Sequence, residues 1–171
     1  MSADVVRRLR DVRMSDATEV GGKAASLGEL FAAGVRVPEG VVMTAEAAAF
    51  TAPERRWDLA NAEWGLGPGP FAVRSSGISE DGVDRSFAGM YETVLEVAPG
   101  DLGTAVERCL ASARAARVTE YERGTGGRMA VIVQRMVAPV AAGVALTADP
   151  ITGDRASSVV TAVRGLGDRL V

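Results

Sequence analysis

Histidine is absent from the 171 residues of this chain. That absence excludes His-dependent nucleophilic triads, the common zinc sites and a phosphohistidine carrier within the chain. There is one cysteine, Cys109, so no disulfide joins two points of the chain, which fits a reducing cytosol. Its ordinary role is that of a small buried hydrophobe in a helix. Aromatic residues make up only 5%, too few for the stacking platforms of single-strand binders. Basic excess is also missing: the net charge is −3, whereas a nucleic-acid binder carries a positive surplus. The first sixteen residues, MSADVVRRLRDVRMSD, hold charges but no apolar stretch of the secretory kind. The longest apolar tract, residues 129–148, contains Gln134 and Arg135 and is broken by Pro139. An arginine near its middle makes a membrane span costly, and two core strands joined by a turn account for it better. The expectation is a cytoplasmic protein with neither nucleic acid nor membrane as partner.

What is present is ordinary for a globular protein: 47% hydrophobic and 24% charged residues. The length suits one domain or two small lobes and is enough to bury a core. Residues 22–33 read as a helix with Leu27, Leu30 and Phe31 on one face, and Gly34 is a good terminator just past its end. Pro38 and Gly40 turn into a short strand at VVMT, and residues 45–50 are alanine-rich and helical by propensity. The GLGPGP of residues 65–70 is the clearest linker. It divides a first lobe, 1–64, from a strand-rich lobe, 71–171. In the second lobe, residues 71–74 and 91–97 read as strands, the latter alternating as half-buried. Asp101 suits the N-cap of a helix running to about 122, with Leu102, Val106, Cys109 and Leu110 inward. Residues 124–127 form a turn, and 129–137, 143–147 and 158–163 are further strands. Strands this close together in sequence, with few helices, predict an α+β fold with mostly antiparallel pairing and flanking helices.

The most informative stretch is FAVRSSGISEDGVDRSFAGMYETVLEV, residues 71–97, a polar loop between apolar strands. Arg74 ends a strand ahead of Ser75 and Ser76, where a guanidinium can fork onto phosphate oxygens with hydroxyls alongside. Pairing with Glu80, Asp81 or Asp84 is the competing role. Glu80 and Asp81 are adjacent, so along a strand they would face opposite sides and form no shared dyad. Lys23 follows two glycines and opens a helix, where exposed N–H groups already favour anions. The Walker spacing is missing, since Ala24 follows the lysine. Gly89 permits close approach of a ligand to the backbone, and Thr93 reaches the same region. Gln134 is the one amide in an apolar strand and must find partners, either an adenine edge or neighbouring backbone. Asp149 and Asp154 flank DPITGD, which is a turn first, and no metal site is assigned. The terminal GLGD is too short for a dinucleotide fingerprint.

Taken in order, GGKAASLGEL, GVRVPEGVVMTAEA, VRSSGISEDGVDRSFAGMYETVLEV, VIVQRMV, GVALTADPITGD and GLGD resemble the ATP-binding region of the phosphoenolpyruvate synthase, pyruvate phosphate dikinase and rifampicin phosphotransferase family. The resemblance runs from about residue 20 to 168. It implies an ATP-grasp-like site between two lobes and phosphoryl transfer from ATP. Lys23 and Arg74, with Ser75 beside it, would hold phosphates; Gly89 and Thr93 would line the pocket; Gln134 would sit by the adenine. Three departures follow from the same resemblance. The segment between Phe50 and Phe71 is short. The family continues beyond GLGD into a second half whose acidic and amide residues serve magnesium and the phosphates. The carrier domain with its phosphorylated histidine is expected in that missing C-terminal half or in a partner chain. The chain is thus expected to be the incomplete ATP-binding part of a phosphotransferase. The alternatives are a non-catalytic nucleotide- or protein-binding module and a non-binding remnant.

Overall fold

The strand that organises the molecule is β5, Met129–Arg135, in which every residue except Arg135 is buried. A strand covered on both faces needs an unbroken apolar run, and MAVIV supplies it. The computed structural model describes residues 6–49, 65–78, 92–121 and 128–167, with side chains except at 49 and 113–121. Within them β5 lies at the centre of a five-stranded sheet with β1 (Val6–Arg8), β2 (Gly40–Met43), β3 (Phe71–Gly77) and β4 (Thr93–Val97), in the order β1-β2-β5-β3-β4. Every neighbouring pair is antiparallel.

Each face of this sheet has its own core. On one side Val41, Phe71, Val73, Val131 and Val133 pack against Leu102, Val106, Cys109 and Leu110 of α3, Leu102–Tyr121. On the other, Val42, Ala130 and Ile132 pack against Val20, Ala24 and Ala25 of α1, Ala17–Ala32, with Leu9 and Val12. Burying each large apolar side chain of this kind stabilises the fold by about 1.5–3 kcal/mol. The expected inward set of α3 and the burial of Cys109 are both found. A short helix α2, Ala45–Ala49, follows β2.

Several elements differ from the sequence expectation. The helix begins at Ala17 but breaks at Gly21 (φ 79°, ψ 160°), so its long regular stretch starts at Gly22 as expected. It closes on Gly34 at φ 75°, whose N–H donates to the Phe31 carbonyl (3.0 Å) while that of Val35 donates to Leu30 (3.0 Å). This is the paired closure that a left-handed glycine allows. Leu30 turns outward, 42% exposed; the smaller Ala24, Ala25 and Gly28 make the close contact instead, and a Cβ on Gly28 would collide with the Val12 carbonyl. β3 runs three residues longer than expected, because β5 pairs with it through Gly77. β4 does not alternate: Phe71 pairs with Val97 but Val73 with Val94, so Ala72 faces both Leu95 and Glu96. Glu96 takes φ 56° at this bulge, a device common on edge strands.

The 65–70 segment does not separate two sheets, since β1 and β2 from before it join β3, β4 and β5 from after it. The two compact units are 1–136 and 137–171. The second consists of β6 (Ala141–Leu146) paired antiparallel with β7 (Val159–Arg164). The turn between them is the one the sequence indicated. The Asp149 Oδ1 accepts from the backbone N–H of Ile151 and of Thr152, both at 2.8 Å. Donation from Thr152, then Ile151, holds that carboxyl below the usual carboxylate range. Among the described residues no helix is long and apolar enough to cross a membrane.

Candidate functional site

Register decides which polar residues of the sheet meet. Along β3, Phe71 and Val73 belong to the α3-side core, so by alternation Ala72, Arg74 and Ser76 face α1. Arg74 pairs with Ile132 on one side and Thr93 on the other, Ser76 with Ala130, and Ala72 with Gln134. Ile132 and Ala130 are α1-side core residues. Arg74, Thr93 and Gln134 therefore share one face, and Ser76 joins them. Ser75, opposite Val131, is buried on the α3 side of the sheet.

The helix bearing Lys23 is docked on this face through Ser76. A Cβ at Gly21 would collide with the Ser76 carbonyl and hydroxyl, so only glycine brings the backbone this close. The Ala24 N–H donates to Ser76 Oγ at 3.2 Å. Ser76 thus caps, from another element, one of the N–H groups that a helix start leaves open. Lys23 is half-buried between Gly22 and Ala24 in this first turn, where the positive end of the helix adds to its charge. Arg128, just ahead of β5, donates from Nη2 to the Thr18 carbonyl at 3.4 Å, in the turn before Gly21.

Arg74 is half-buried, and its Nε is fully buried with no hydrogen-bond partner among the described residues. A buried guanidinium N–H left unmet costs free energy until an acceptor arrives. Gln134, nearly buried, donates from Nε2 to the Pro38 carbonyl at 2.9 Å, so neighbouring backbone already meets part of its amide. Thr93 is exposed at the start of β4. Gly89, Glu80 and Asp81 lie outside the described residues, as do the 124–127 turn and Asp168 of GLGD. Among the described residues no three His, Cys, Asp or Glu side chains come together as metal ligands.

Arg74 and the docked start of the Lys23 helix lie on one sheet face, and comparison with known proteins identifies the class of the domain. The family model for the pyruvate phosphate dikinase AMP/ATP-binding domain matches residues 54–171. The chain belongs to that family. It is 37% identical to a rifampicin phosphotransferase of a Streptomyces species over 221 aligned positions, covering 100% of this chain and 25% of the relative. It is 36% identical to the prodigiosin synthesizing transferase PigC of Serratia marcescens, covering 100% of the chain and 23% of that protein. It is 32% identical to a probable phosphoenolpyruvate synthase of Staphylothermus marinus, covering 95% and 26%. The chain thus spans about a quarter of the length of these relatives. An alignment of 221 positions against 171 residues means that the Streptomyces protein carries about 50 residues with no counterpart here.

For this dikinase-type ATP-binding domain, sequence reading singled out Lys23, Arg74, Thr93 and Gln134, and the structure brings Arg74, Thr93 and Gln134 to one sheet face with the Lys23 helix docked on it. Reading named Ser76 beside Arg74 but gave the site to Ser75, and it did not single out Arg128. The signal for Ser76 was available: counted from Phe71 and Val73, it shares parity with Arg74, whereas Ser75 does not. Arg128 had none, because its relation to Thr18 spans 110 residues.

Proposed function

We propose that this chain is the ATP-binding portion of an ATP-dependent phosphotransferase of the dikinase type, with an ATP-grasp-like arrangement in which the nucleotide lies beside α1, at the part of that sheet face where Arg74 and Thr93 are not buried. The observation that carries the reading is the buried Nε of Arg74, without a partner among the described residues, on the face where Ser76 docks the Gly21-Gly22-Lys23 helix start. Phosphate oxygens meet both needs at once: acceptors for the guanidinium and negative charge for the helix end. Phosphoryl transfer depends mainly on positioning and charge stabilisation, and Arg74 and Lys23 supply that from this chain. Thr93 and Gly89 are assigned to the pocket wall and Gln134 to the adenine side. Magnesium accompanies the ATP, with its ligands assigned outside this chain. The phosphoryl group passes to a histidine on another part of a longer polypeptide or on a partner chain, in the cytoplasm.

The test is thermal unfolding of the 171-residue chain with and without saturating ATP and magnesium. A ligand at a hundredfold its Kd stabilises by about 2.7 kcal/mol, which raises Tm by several degrees. The parent is expected to show that shift, and Arg74→Ala and Lys23→Ala to lose most of it. No shift in a folded parent overturns the reading.

A second reading, a non-catalytic protein-binding module, draws on a different observation. Val140, Ile151 and Val160 of the β6–β7 unit are 91%, 92% and 70% exposed, and exposed large apolar side chains beyond the usual scatter mark interaction surfaces. Concentration-dependent association in sedimentation, with no nucleotide shift in melting, would favour it.

A further inference from the structure

We infer that Leu95 packs against the base of the nucleotide, with Ala72 as the floor beside it. This assignment rests on the nucleotide reading above and adds a contact for the end of the ligand away from its phosphates. Two cross-strand rows of the α1 face run from β2 to β4. One is Val42, Ile132, Arg74 and Thr93; the other takes Gly40, Gln134 and Ala72 to the β4 bulge at Leu95 and Glu96. Exposure rises in the same direction along both rows: the β2 and β5 residues are buried, the β3 residue is half-buried and the β4 residues are exposed. The helix α1 and the Leu9–Val12 segment cover β2 and β5, and the part of the face at Ala72, Arg74, Thr93 and Leu95 stays open.

The bulge is what brings Leu95 to this face. Val94 and Val97 both pack on the α3-side core, so simple alternation fails between them. Leu95 and Glu96 both stand on the opposite face, against Ala72. Glu96 takes φ 56° to allow this, and its N–H donates to the Met136 thioether at 2.8 Å. Backbone strain of this kind gathers at ligand sites, where the surroundings hold it in place. The open patch is therefore divided. Arg74 and Thr93 make a polar row, in which the Arg74 Nε has no partner among the described residues. Ala72 and Leu95 make an apolar row about 7 Å further along the strands, and Leu95 is 41% exposed. Phosphate oxygens match the first row and the face of an aromatic base the second. Gln134, assigned above to the adenine side, belongs to the same row as Leu95.

The experiment is an NMR titration of the whole chain with ATP and with inorganic tripolyphosphate, each with magnesium, for the parent, Leu95→Ala, Leu95→Gln and Arg74→Ala. Amide spectra serve as the check of fold. Leu95→Ala is expected to weaken ATP about fivefold, the effect of losing part of an apolar contact, and to leave tripolyphosphate within about twofold. Leu95→Gln keeps the length of the side chain without its apolar surface and should behave in the same way. Arg74→Ala should weaken both ligands. Equal affinity of the parent and the Leu95 variants for ATP overturns the inference. So does an equal loss for ATP and tripolyphosphate, which would assign Leu95 to the shape of β4. A parent that binds ATP no more tightly than tripolyphosphate overturns it as well, because the base then adds nothing, and leaves the phosphate contacts standing. A parent that binds neither ligand overturns the nucleotide reading and the role of Leu95 with it, and that result differs from each of the others.

Discussion

β5 and β7 are alike as sequences and opposite as structures. MAVIVQR and VVTAVR are both short, apolar and rich in valine, and each ends in arginine. In β5 every residue but the last is buried; in β7 only Val163 is less than exposed. Local propensity makes both of them strands. What separates them is the number of neighbours. β5 has a strand on each side and a core on each face, whereas β7 pairs with β6 alone. A two-stranded ribbon is marginal by itself, so stability is concentrated in the five-stranded sheet and the hairpin adds little to it.

The comparison can be broken most forcefully at Phe71, the largest fully buried side chain of the sheet. Phe71→Ala is expected to cost about 3–5 kcal/mol, read as a lowered midpoint in urea unfolding followed by tryptophan fluorescence. A smaller loss, about 1 kcal/mol, is expected for Ser76→Ala, which removes the cap on the Ala24 N–H. Ser75→Ala breaks no such cap, so urea midpoints of the two variants test whether Ser76 alone docks α1. At the hairpin, Val160→Ala should change global stability by no more than about 0.5 kcal/mol. Amide exchange sharpens that point: β7 amides are expected to exchange through local opening well before those of β5. A β7 as protected as β5 would mean that the two ribbons share one cooperative unit.

The smallest expected effect is electrostatic. The side-chain hydrogen bond from Arg7 (3.0 Å), helped by the Arg13 N–H, holds the Asp16 carboxyl below the usual carboxylate range. Because the folded value lies below the unfolded one, of about 3.9, the stabilisation is full above the unfolded value. It disappears as pH falls through the folded one. Urea midpoints measured from pH 6 down to pH 3 should fall slightly less in Asp16→Asn than in the parent. The pair is partly solvated, so the difference is small.

Much of the architecture was legible because it rests on local rules. Gly34 stops its helix for the reason a glycine usually does, and Leu102, Val106, Cys109 and Leu110 face inward by helical spacing. The DPITGD turn closes on its own aspartate. Long-range matters were less legible. Leu30 fits an apolar face on a wheel, yet the sheet and the Leu9–Val12 segment approach so near to α1 that small residues take the contact and the leucine turns out. The β4 bulge depends on how Ala72 meets Leu95 and Glu96, which neither strand encodes alone. At the candidate site, Arg74, Lys23 and Gln134 stood out as residue types suited to phosphate and adenine.

By itself the sequence determined the family, through motifs whose order survives any folding argument, and it determined the identity of the elements, because strand and helix periods and glycine stops act within a few residues. Only the tertiary structure decided that Ser76 rather than Ser75 meets the helix start, that Arg74 keeps a buried N–H without a partner among the described residues, and that one valine-rich strand becomes a core while another stays in water. Burial and register are properties of pairs of segments far apart in the chain, and no single segment carries them.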